Sequence, residues 1–181
     1  MSDMPVNKED TSAVKDLIFF VGFMGCGKTT WGRKLAAHLN YEFIDLDHVL
    51  EEKAGMRVAE YFSSFGEDAF RKLETSVLKE TVYPGKTVVS TGGGLPCFFD
   101  NMDWMNAHGK TLYIQLTPKA LAGRLENAKT VRPVLQGKKG DELVELITGK
   151  LAEREGFYLQ AGYIISGIDL SVEGIEQVLL G

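Results

Sequence analysis

Residues 17–30 read LIFFVGFMGCGKTT, and this stretch decides the fold. It begins with a continuous apolar run at 17–21, which is typical of a strand buried on both faces of a parallel sheet. Residues 22–29 then match the pattern G-x-x-x-x-G-K-[ST]. Apolar side chains recur at helical spacing over 28–40. The stretch therefore predicts a strand, a glycine-rich loop and a helix in succession.

The same alternation of strand and helix continues along the chain. Apolar runs predict further strands at residues 41–45, 87–90, 111–116 and 163–165. Helical periodicity predicts helices at residues 49–54, 65–81, 118–126, 141–158 and 171–180. Strands that alternate with helices favour a doubly wound parallel sheet. We therefore expect a three-layer α/β fold, in which a five-stranded parallel sheet has helices on both faces.

The glycine-rich loop has the residue types that a triphosphate requires. Glycines let backbone N–H groups turn toward phosphate oxygens, and the following helix adds its positive end. In this pattern the lysine reaches the β- and γ-phosphates, and the hydroxyl that follows it is a Mg²⁺ ligand. The sequence thus predicts a nucleotide site with Mg²⁺ as cofactor, whose candidate residues are Gly25, Cys26, Gly27, Lys28, Thr29 and Thr30.

Two observations separate this P-loop from that of a GTPase. No Asp in the chain has Gly three residues later, so the switch element D-x-x-G is missing. Residues 7–10 match the guanine-reading pattern N-K-x-D, but they precede the P-loop, whereas that element should follow a late strand. A short chain with one P-loop instead favours an ATP-dependent kinase that phosphorylates a small molecule.

Charge and composition argue against several classes of partner. The net charge is −5, and both nucleic acids and membrane surfaces are polyanionic, so neither is an expected partner. Cys26 and Cys97 form no disulfide framework or metal-ligand pattern, which fits a reducing compartment. The sequence shows no signal-peptide core and no apolar stretch long enough to cross a bilayer. We expect a cytoplasmic, monomeric protein.

Two segments interrupt the alternation. Residues 1–15 are polar, and they predict a flexible tail before a single domain at 16–181. Residues 127–140 have little apolar periodicity and contain two glycines and four basic residues, Lys129, Arg132, Lys138 and Lys139. A basic loop with glycines between two helices favours a mobile lid, although a solvated surface loop would have the same composition.

Polar residues and glycines follow two of the predicted strands. Asp45 and Asp47 stand at the end of the second strand, at the edge where open α/β sheets bind ligands. Two carboxylates there could serve a Mg²⁺ ion and a substrate hydroxyl, or Asp45 could cap a helix. Gly92, Gly93 and Gly94 follow the third strand and would allow close approach of backbone to a ligand. The sequence thus predicts an acceptor site beside the nucleotide site.

Together these motifs resemble the shikimate kinase family over residues 17–180. The matching elements, in order, are the P-loop at 22–29, Phe43-Ile44-Asp45-Leu46-Asp47, Gly66-Glu67 with Phe70-Arg71 and Glu74, Gly92-Gly93-Gly94, Val131-Arg132-Pro133-Val134-Leu135, and Arg154 with Tyr158. Each element alone is modest support, but six in this order and spacing are specific. The resemblance implies a P-loop kinase fold with a mobile lid, and ATP and shikimate as substrates.

On the acceptor side, the resemblance assigns a role to each matching residue. Asp47 would orient the shikimate 3-hydroxyl and could accept its proton. Arg71 and Arg154 would bind the shikimate carboxylate through their planar guanidinium groups. Arg71 also stands three residues before Glu74, so a structural ion pair on one helix face is a second interpretation. The triplet at 92–94 would pack against the shikimate ring. The region at about 46–80 would bind the acceptor.

On the nucleotide side, the resemblance adds three residues to Lys28 and the P-loop. Arg132 would close over the transferred phosphoryl group and offset its charge. Arg124 matches a position that contacts adenine in the family. Asp45 would lie near Mg²⁺, together with Thr29.

The sequence departs from the family pattern at two places. Gly156 and Phe157 replace the usual Pro-Leu before Tyr158, and Leu95-Pro96 follows the glycine triplet where small residues are usual. The second change could reshape one wall of the acceptor pocket. Two alternatives to a shikimate kinase therefore stay open, namely a related kinase of another small polyol or nucleotide, and a catalytically silent relative that binds nucleotide.

Overall fold

In the computed structural model, residues 16–128 and 132–181 are described. The strands are β1 Asp16–Val21, β2 Glu42–Asp45, β3 Lys86–Ser90, β4 Lys110–Gln115 and β5 Tyr163–Ser166. The helices are α1 Lys28–Leu39, α2 Leu46–Ala54, α3 Val58–Glu80, α4 Asn101–His108, α5 Pro118–Glu126, α6 Gly140–Tyr158 and α7 Val172–Leu180. Short 3₁₀ helices span Leu95–Cys97 and Pro133–Leu135. The predicted tail at 1–15 and Lys129 of the predicted lid lie outside the described residues.

The five strands form one sheet in the order β2-β3-β1-β4-β5, and every neighbouring pair is parallel. The predicted five-stranded parallel sheet is therefore confirmed. Because all strands run the same way, their carboxyl ends lie at one edge, where α/β folds bind ligands. Asp45 pairs with Ser90 at that edge, so the ends of β2 and β3 lie side by side.

The core lies on both faces of the sheet, because alternate residues of a strand point to opposite sides. Phe19 and Val21 of β1 belong to a large apolar cluster with α2, α3, α4, α5 and α6, whereas Ile18 and Phe20 belong to a smaller cluster with α1 and α7. All four side chains are fully buried. Helices thus cover both faces, as the continuous apolar run predicts.

Two helices begin earlier than their periodicity predicts. Helix α2 begins at Leu46, because the Asp45 carboxylate caps it by accepting a hydrogen bond from Asp47 N–H at 3.0 Å. Helix α3 begins at Val58 and is kinked at Gly66, whose backbone is at φ 83° and ψ 173°. This backbone conformation favours glycine. The kink lies next to residue 65, where the sequence pattern placed the start of the helix.

Helix α4 was not predicted at all. It is eight residues long, and only Asn101, Met102 and Met105 of it are buried, so its apolar pattern is too short to be recognised. At the other end of the chain, Ser171 caps α7, and its hydroxyl accepts from Gly174 N–H at 3.0 Å. Over the described ranges, none of the helices is both long and apolar enough to cross a membrane.

Candidate active site

The P-loop joins β1 to α1 through three residues with positive φ. Gly22, Gly25 and Gly27 have φ of 146°, 81° and 104°, so L side chains would be strained at each. Lys28, the first residue of α1, is only 8% exposed. Its ammonium donates to the carbonyl oxygens of Gly22 at 2.7 Å and Phe23 at 3.1 Å. The lysine charge is therefore held inside the loop.

Oxygen ligands suited to a divalent cation lie next to the P-loop. The Thr29 hydroxyl donates to Asp45 Oδ2 at 3.1 Å, and it lies 3.3 Å from the Ser90 hydroxyl. Ser90 is a residue that the sequence analysis missed, although its position at the end of a strand adjacent to β2 was a usable signal. In the described ranges, no cluster of three or more His, Cys, Asp or Glu side chains could hold a metal. Thr29 and Asp45 fit Mg²⁺, which is usually held by one or two carboxylates plus substrate phosphates.

Arg124 connects the P-loop to the segment after β5. Its Nη1 donates to the carbonyl oxygen of Cys26 and its Nη2 to that of Gly167, each at 3.2 Å. The guanidinium thus borders the cavity that Gly25, Gly27 and Thr30 also line. Arg124 is therefore part of the nucleotide side of the site rather than an isolated surface residue.

Two cavities meet at the carboxyl edge of the sheet. The first, of about 330 Å³, contains the P-loop with Lys28 and Thr29, and the second, of about 410 Å³, lies between α2, α3 and the glycine triplet. Five residues line both: Met24, Asp47, Gly92, Gly93 and Arg132. A phosphoryl group could therefore pass from the first cavity to the second beside Asp47 and Arg132.

Among the described residues that border both cavities, Asp47 alone carries a carboxylate. Asp47 is half-buried, and desolvation of its carboxyl group, reinforced by the Asp45 carboxylate, raises its pKa above the usual value. The positive charges of Lys28 and Arg132 oppose that rise. A carboxylate with a raised pKa binds a proton more strongly, so Asp47 is suited to accept one from a hydroxyl.

Arg71 and Glu74 form a buried ion pair that also lines the second cavity. Arg71 Nη1 donates to Glu74 Oε1 at 2.9 Å, and the two residues are 6% and 3% exposed. Burial raises the pKa of Glu74 to about 7, although the Arg71 charge acts against the rise. Both interpretations of Arg71, a structural partner of Glu74 and a side chain facing an acceptor, are thus compatible with its position.

Three arginines of this site have donors without protein partners. Arg71 Nε, Arg132 Nε and Arg154 Nη1 are buried, and none has a hydrogen-bond acceptor among the residues that the structure describes. All three side chains line the second cavity. Buried polar groups in native proteins are nearly always paired, so this arrangement indicates an anionic ligand. Arg154, on α6, is brought to Arg71, on α3, only by the tertiary fold.

The glycine triplet is required by space rather than by backbone conformation. A Cβ on Gly92 would lie 2.8 Å from Glu74 Oε2 and 3.1 Å from Asp47 Oδ1, and a Cβ on Gly94 would lie 2.6 Å from Arg71 Nη2. The sequence predicts a close approach of a ligand to this backbone, and in the structure the protein's own charged side chains lie close to it. The Tyr158 hydroxyl donates to the carbonyl oxygen of Gly93 and fixes the triplet from the side of α6.

The predicted lid is described only in part. Arg132 lines both cavities and Val134 lines the second, whereas Val131 lies outside the described residues. Gln136, Gly137 and Gly140 have positive φ, which produces a tightly turned segment before α6. Arg132 thus lies where the two cavities meet, and its role and the mobility of the segment remain predictions.

Comparison with known proteins finds the same family along almost the whole chain. The family model for shikimate kinase matches residues 24–179. A shikimate kinase of Bacteroides fragilis is 47% identical over 170 residues, covering 90% of this chain and 95% of its own. The crystal structure of the shikimate kinase from Bacteroides thetaiotaomicron has 43% sequence identity and a TM-score of 0.85, covering 91% and 98%. A shikimate kinase from Acinetobacter baumannii, in complex with shikimate, has 32% identity and a TM-score of 0.80, covering 91% and 90%.

Proposed function

The chain belongs to the shikimate kinase family, and we propose that its two joined cavities transfer the γ-phosphate of ATP to the 3-hydroxyl of shikimate. The protein is an ATP-dependent kinase, and the products are ADP and shikimate 3-phosphate. The observation that carries the assignment of residues is the shared wall of the two cavities, where Asp47 and Arg132 lie between the P-loop and the arginines of the acceptor site.

In this proposal, Arg71 and Arg154 bind the shikimate carboxylate. Arg71 Nε and Arg154 Nη1 are buried without a hydrogen-bond partner among the described residues, and both side chains line the second cavity. A guanidinium group is planar, and two of its N–H donors match the two oxygens of a carboxylate. A nucleoside acceptor has no carboxylate. The triplet at 92–94 forms the floor on which the acceptor ring packs. The acceptor is therefore oriented by its charge at one end and by Asp47 at the other.

The triphosphate would bind in the first cavity. Backbone N–H groups at Gly25, Gly27 and the first turn of α1 would donate to its phosphate oxygens. Lys28 would exchange its carbonyl partners for β- and γ-phosphate oxygens, and Arg124 would lie beside the adenine. Catalysis then depends on positioning and on electrostatic stabilisation rather than on covalent chemistry.

The proposed transfer keeps its atoms and charges balanced. The 3-hydroxyl oxygen of shikimate attacks the γ-phosphorus, the bond from that phosphorus to the β–γ bridging oxygen breaks, and ADP leaves. The hydroxyl proton passes to Asp47, which then returns it to solvent. Arg132 and Lys28 offset the charge that develops on the transferred group. The lid segment at about 127–140 would keep water from competing as acceptor.

Thr29 would bind Mg²⁺ directly, and Asp45 would contact the ion through a water molecule. Mg²⁺ supplies neutralisation of the β- and γ-phosphate charge when it is bound. The pairing of Thr29 with Asp45 at 3.1 Å supports this assignment, because it gathers two hard oxygen groups at the phosphate end of the cavity. Removal of the ion with a chelator should therefore abolish turnover.

We also propose that the enzyme acts as a cytoplasmic monomer, without nucleic-acid or membrane partners. The net charge of −5 supports this, since any bound anion must then be met by a local group of cations. Lys28, Arg71, Arg132 and Arg154 form such a group at the two cavities. Sedimentation at equilibrium would test the monomeric state.

The decisive experiment is a coupled ADP-release assay with shikimate, gluconate and nucleoside monophosphates as acceptors. Turnover is expected with shikimate alone. Turnover with gluconate or a nucleotide but not with shikimate would indicate a related kinase of another acceptor. Binding of ATP without turnover of any acceptor would indicate a silent relative.

The Arg71→Ala variant tests the carboxylate site directly. It should raise the KM for shikimate on the order of 100-fold, because a buried charge partner of the substrate is removed, and should change the KM for ATP little. Equal effects on both KM values would instead assign Arg71 to the structural pairing with Glu74.

A further inference from the structure

Phe98 approaches the acceptor site from outside it. The residue follows the 3₁₀ helix Leu95–Cys97, which turns the chain back after the glycine triplet, and its side chain is half-buried. The Arg71 guanidinium carbon lies over the Phe98 ring, 4.3 Å from its centroid. Phe98 does not line the cavity that Arg71 lines. An effect of Phe98 on a bound acceptor would therefore be indirect, and its contact with Arg71 provides a route.

The hydrogen bonds of Arg71 hold only one edge of its guanidinium group. One hydrogen bond of ordinary length, from Nη1 to Glu74 Oε1 at 2.9 Å, holds one edge of the group. The contact of Nη2 with Glu67 is 3.5 Å long, and the Glu67 side chain is 55% exposed. The plane of the group is therefore set by the surfaces packed against it, which are Gly94 and the neighbouring aromatic rings. The Phe70 ring is more distant, at 5.2 Å from the guanidinium carbon.

We propose that Phe98 is a positioning residue for shikimate binding, because its ring sets the plane in which Arg71 presents its free donors to the carboxylate. This inference rests on the proposed role of Arg71. Stacking on an aromatic face is a preferred geometry for arginine, and it strengthens when the cation is removed from water. Arg71 is 6% exposed, so it meets that condition. The segment at 95–98 thus contributes to the acceptor site without touching the acceptor.

The chain offers a matched set of variants for this proposal. Phe98→Leu keeps an apolar side chain but removes the aromatic face, whereas Phe98→Tyr keeps the face. Phe99→Leu makes the same chemical change at the next residue, whose side chain is 63% exposed. Shikimate and its carboxamide are compared as acceptors, because the amide lacks the charge that Arg71 would bind. Arg71→Ala is measured in the same series, and thermal unfolding reports whether each variant is folded.

Phe98→Leu should raise the KM for shikimate by about fivefold to tenfold, which corresponds to ~1 kcal/mol. It should leave the KM for ATP and the kcat/KM for the carboxamide within about twofold of the parent enzyme. The ratio of kcat/KM for shikimate to kcat/KM for the carboxamide should therefore decrease. Phe98→Tyr and Phe99→Leu should resemble the parent. This outcome would support a role exerted through Arg71.

Three results would overturn the proposal. They are an unchanged KM for shikimate in Phe98→Leu, an equal loss with the carboxamide, and a Phe98→Tyr variant that behaves like Phe98→Leu. If Phe98→Leu does not fold, the test is made with Phe98→Tyr. The proposal is refuted if Phe98→Tyr raises the KM for shikimate as much as Arg71→Ala does. If Arg71→Ala itself leaves the shikimate KM unchanged, the proposed carboxylate site fails instead, so the two failures are distinguishable.

Discussion

Replacing Glu74 by Gln should stabilise the folded enzyme at alkaline pH. Glu74 is 3% exposed, and it lies against Arg71 with Asp47 and Arg154 nearby. Burial, reinforced by Asp47, raises its pKa from 4.5 to about 7 in spite of the two arginines. The folded protein therefore prefers the neutral carboxyl group, whereas the unfolded chain loses that proton near pH 4.5. The neutral amide of Gln has nearly the same shape, and it avoids the cost of burying an ionised carboxylate.

The sign and size of the effect follow from proton linkage. A raised folded-state pKa adds stability below the unfolded pKa, and this stability is lost as the pH rises through the folded value. At roughly 1.4 kcal/mol per pKa unit, a rise from 4.5 to about 7 corresponds to about 3 kcal/mol. The free energy of unfolding of Glu74→Gln should therefore be about 3 kcal/mol higher than that of the parent at about pH 8.5.

The measurement is the free energy of unfolding in urea, taken without substrates at several pH values. The advantage of Glu74→Gln should shrink by about 2 kcal/mol between about pH 8.5 and about pH 5.5, and it should nearly vanish below about pH 4.5. The difference between pH values matters more than the absolute gain, because it cancels any constant change in packing.

Glu67→Gln provides the matched control. Glu67 also approaches Arg71 from the same helix, but its side chain is 55% exposed. This variant should show no gain that depends on pH in this way. An advantage of Glu74→Gln that is the same at every pH, or a parent enzyme that is the more stable at about pH 8.5, would refute the reasoning.

Two further substitutions test the acceptor site. Gly94→Ala should lower kcat/KM for shikimate on the order of 100-fold, because its Cβ would displace Arg71, while Gly85→Ala, which meets nothing within 4 Å, should be neutral in the same steady-state assay. Asp47→Asn should lower kcat by ~10²-fold or more and leave ATP affinity, measured by calorimetry, nearly intact. An unchanged kcat would remove Asp47 from the mechanism.

Much of the fold was predictable because its signals are local. The apolar run of β1 and the glycines that follow it act over neighbouring residues, and the structure confirms both the strand and the loop. The prediction was wrong where tertiary contacts or caps decide the element. Helix α4 has too little apolar periodicity to be recognised, and the first turns of α3 precede a kink at Gly66.

The residues of the candidate site could be predicted from the sequence, but their positions relative to one another could not. Asp47, Arg71 and Arg154 could be named from motifs, yet only the fold brings them to one cavity, since they come from α2, α3 and α6. The end of a predicted strand was a usable signal for Ser90, but its contact with Thr29, like that of Phe98 with Arg71, depends on a neighbour from another part of the chain.

The sequence by itself thus determined the triphosphate loop, because residues 22–29 form that site from one contiguous segment whose geometry is set by glycine and a helix start. Only the tertiary structure decided how the acceptor site is organised. Burial beside other charges raises the pKa values of Asp47 and Glu74, and desolvation of that kind exists only after distant segments pack together. Spacing along the chain contains no information about the dielectric surroundings of a side chain.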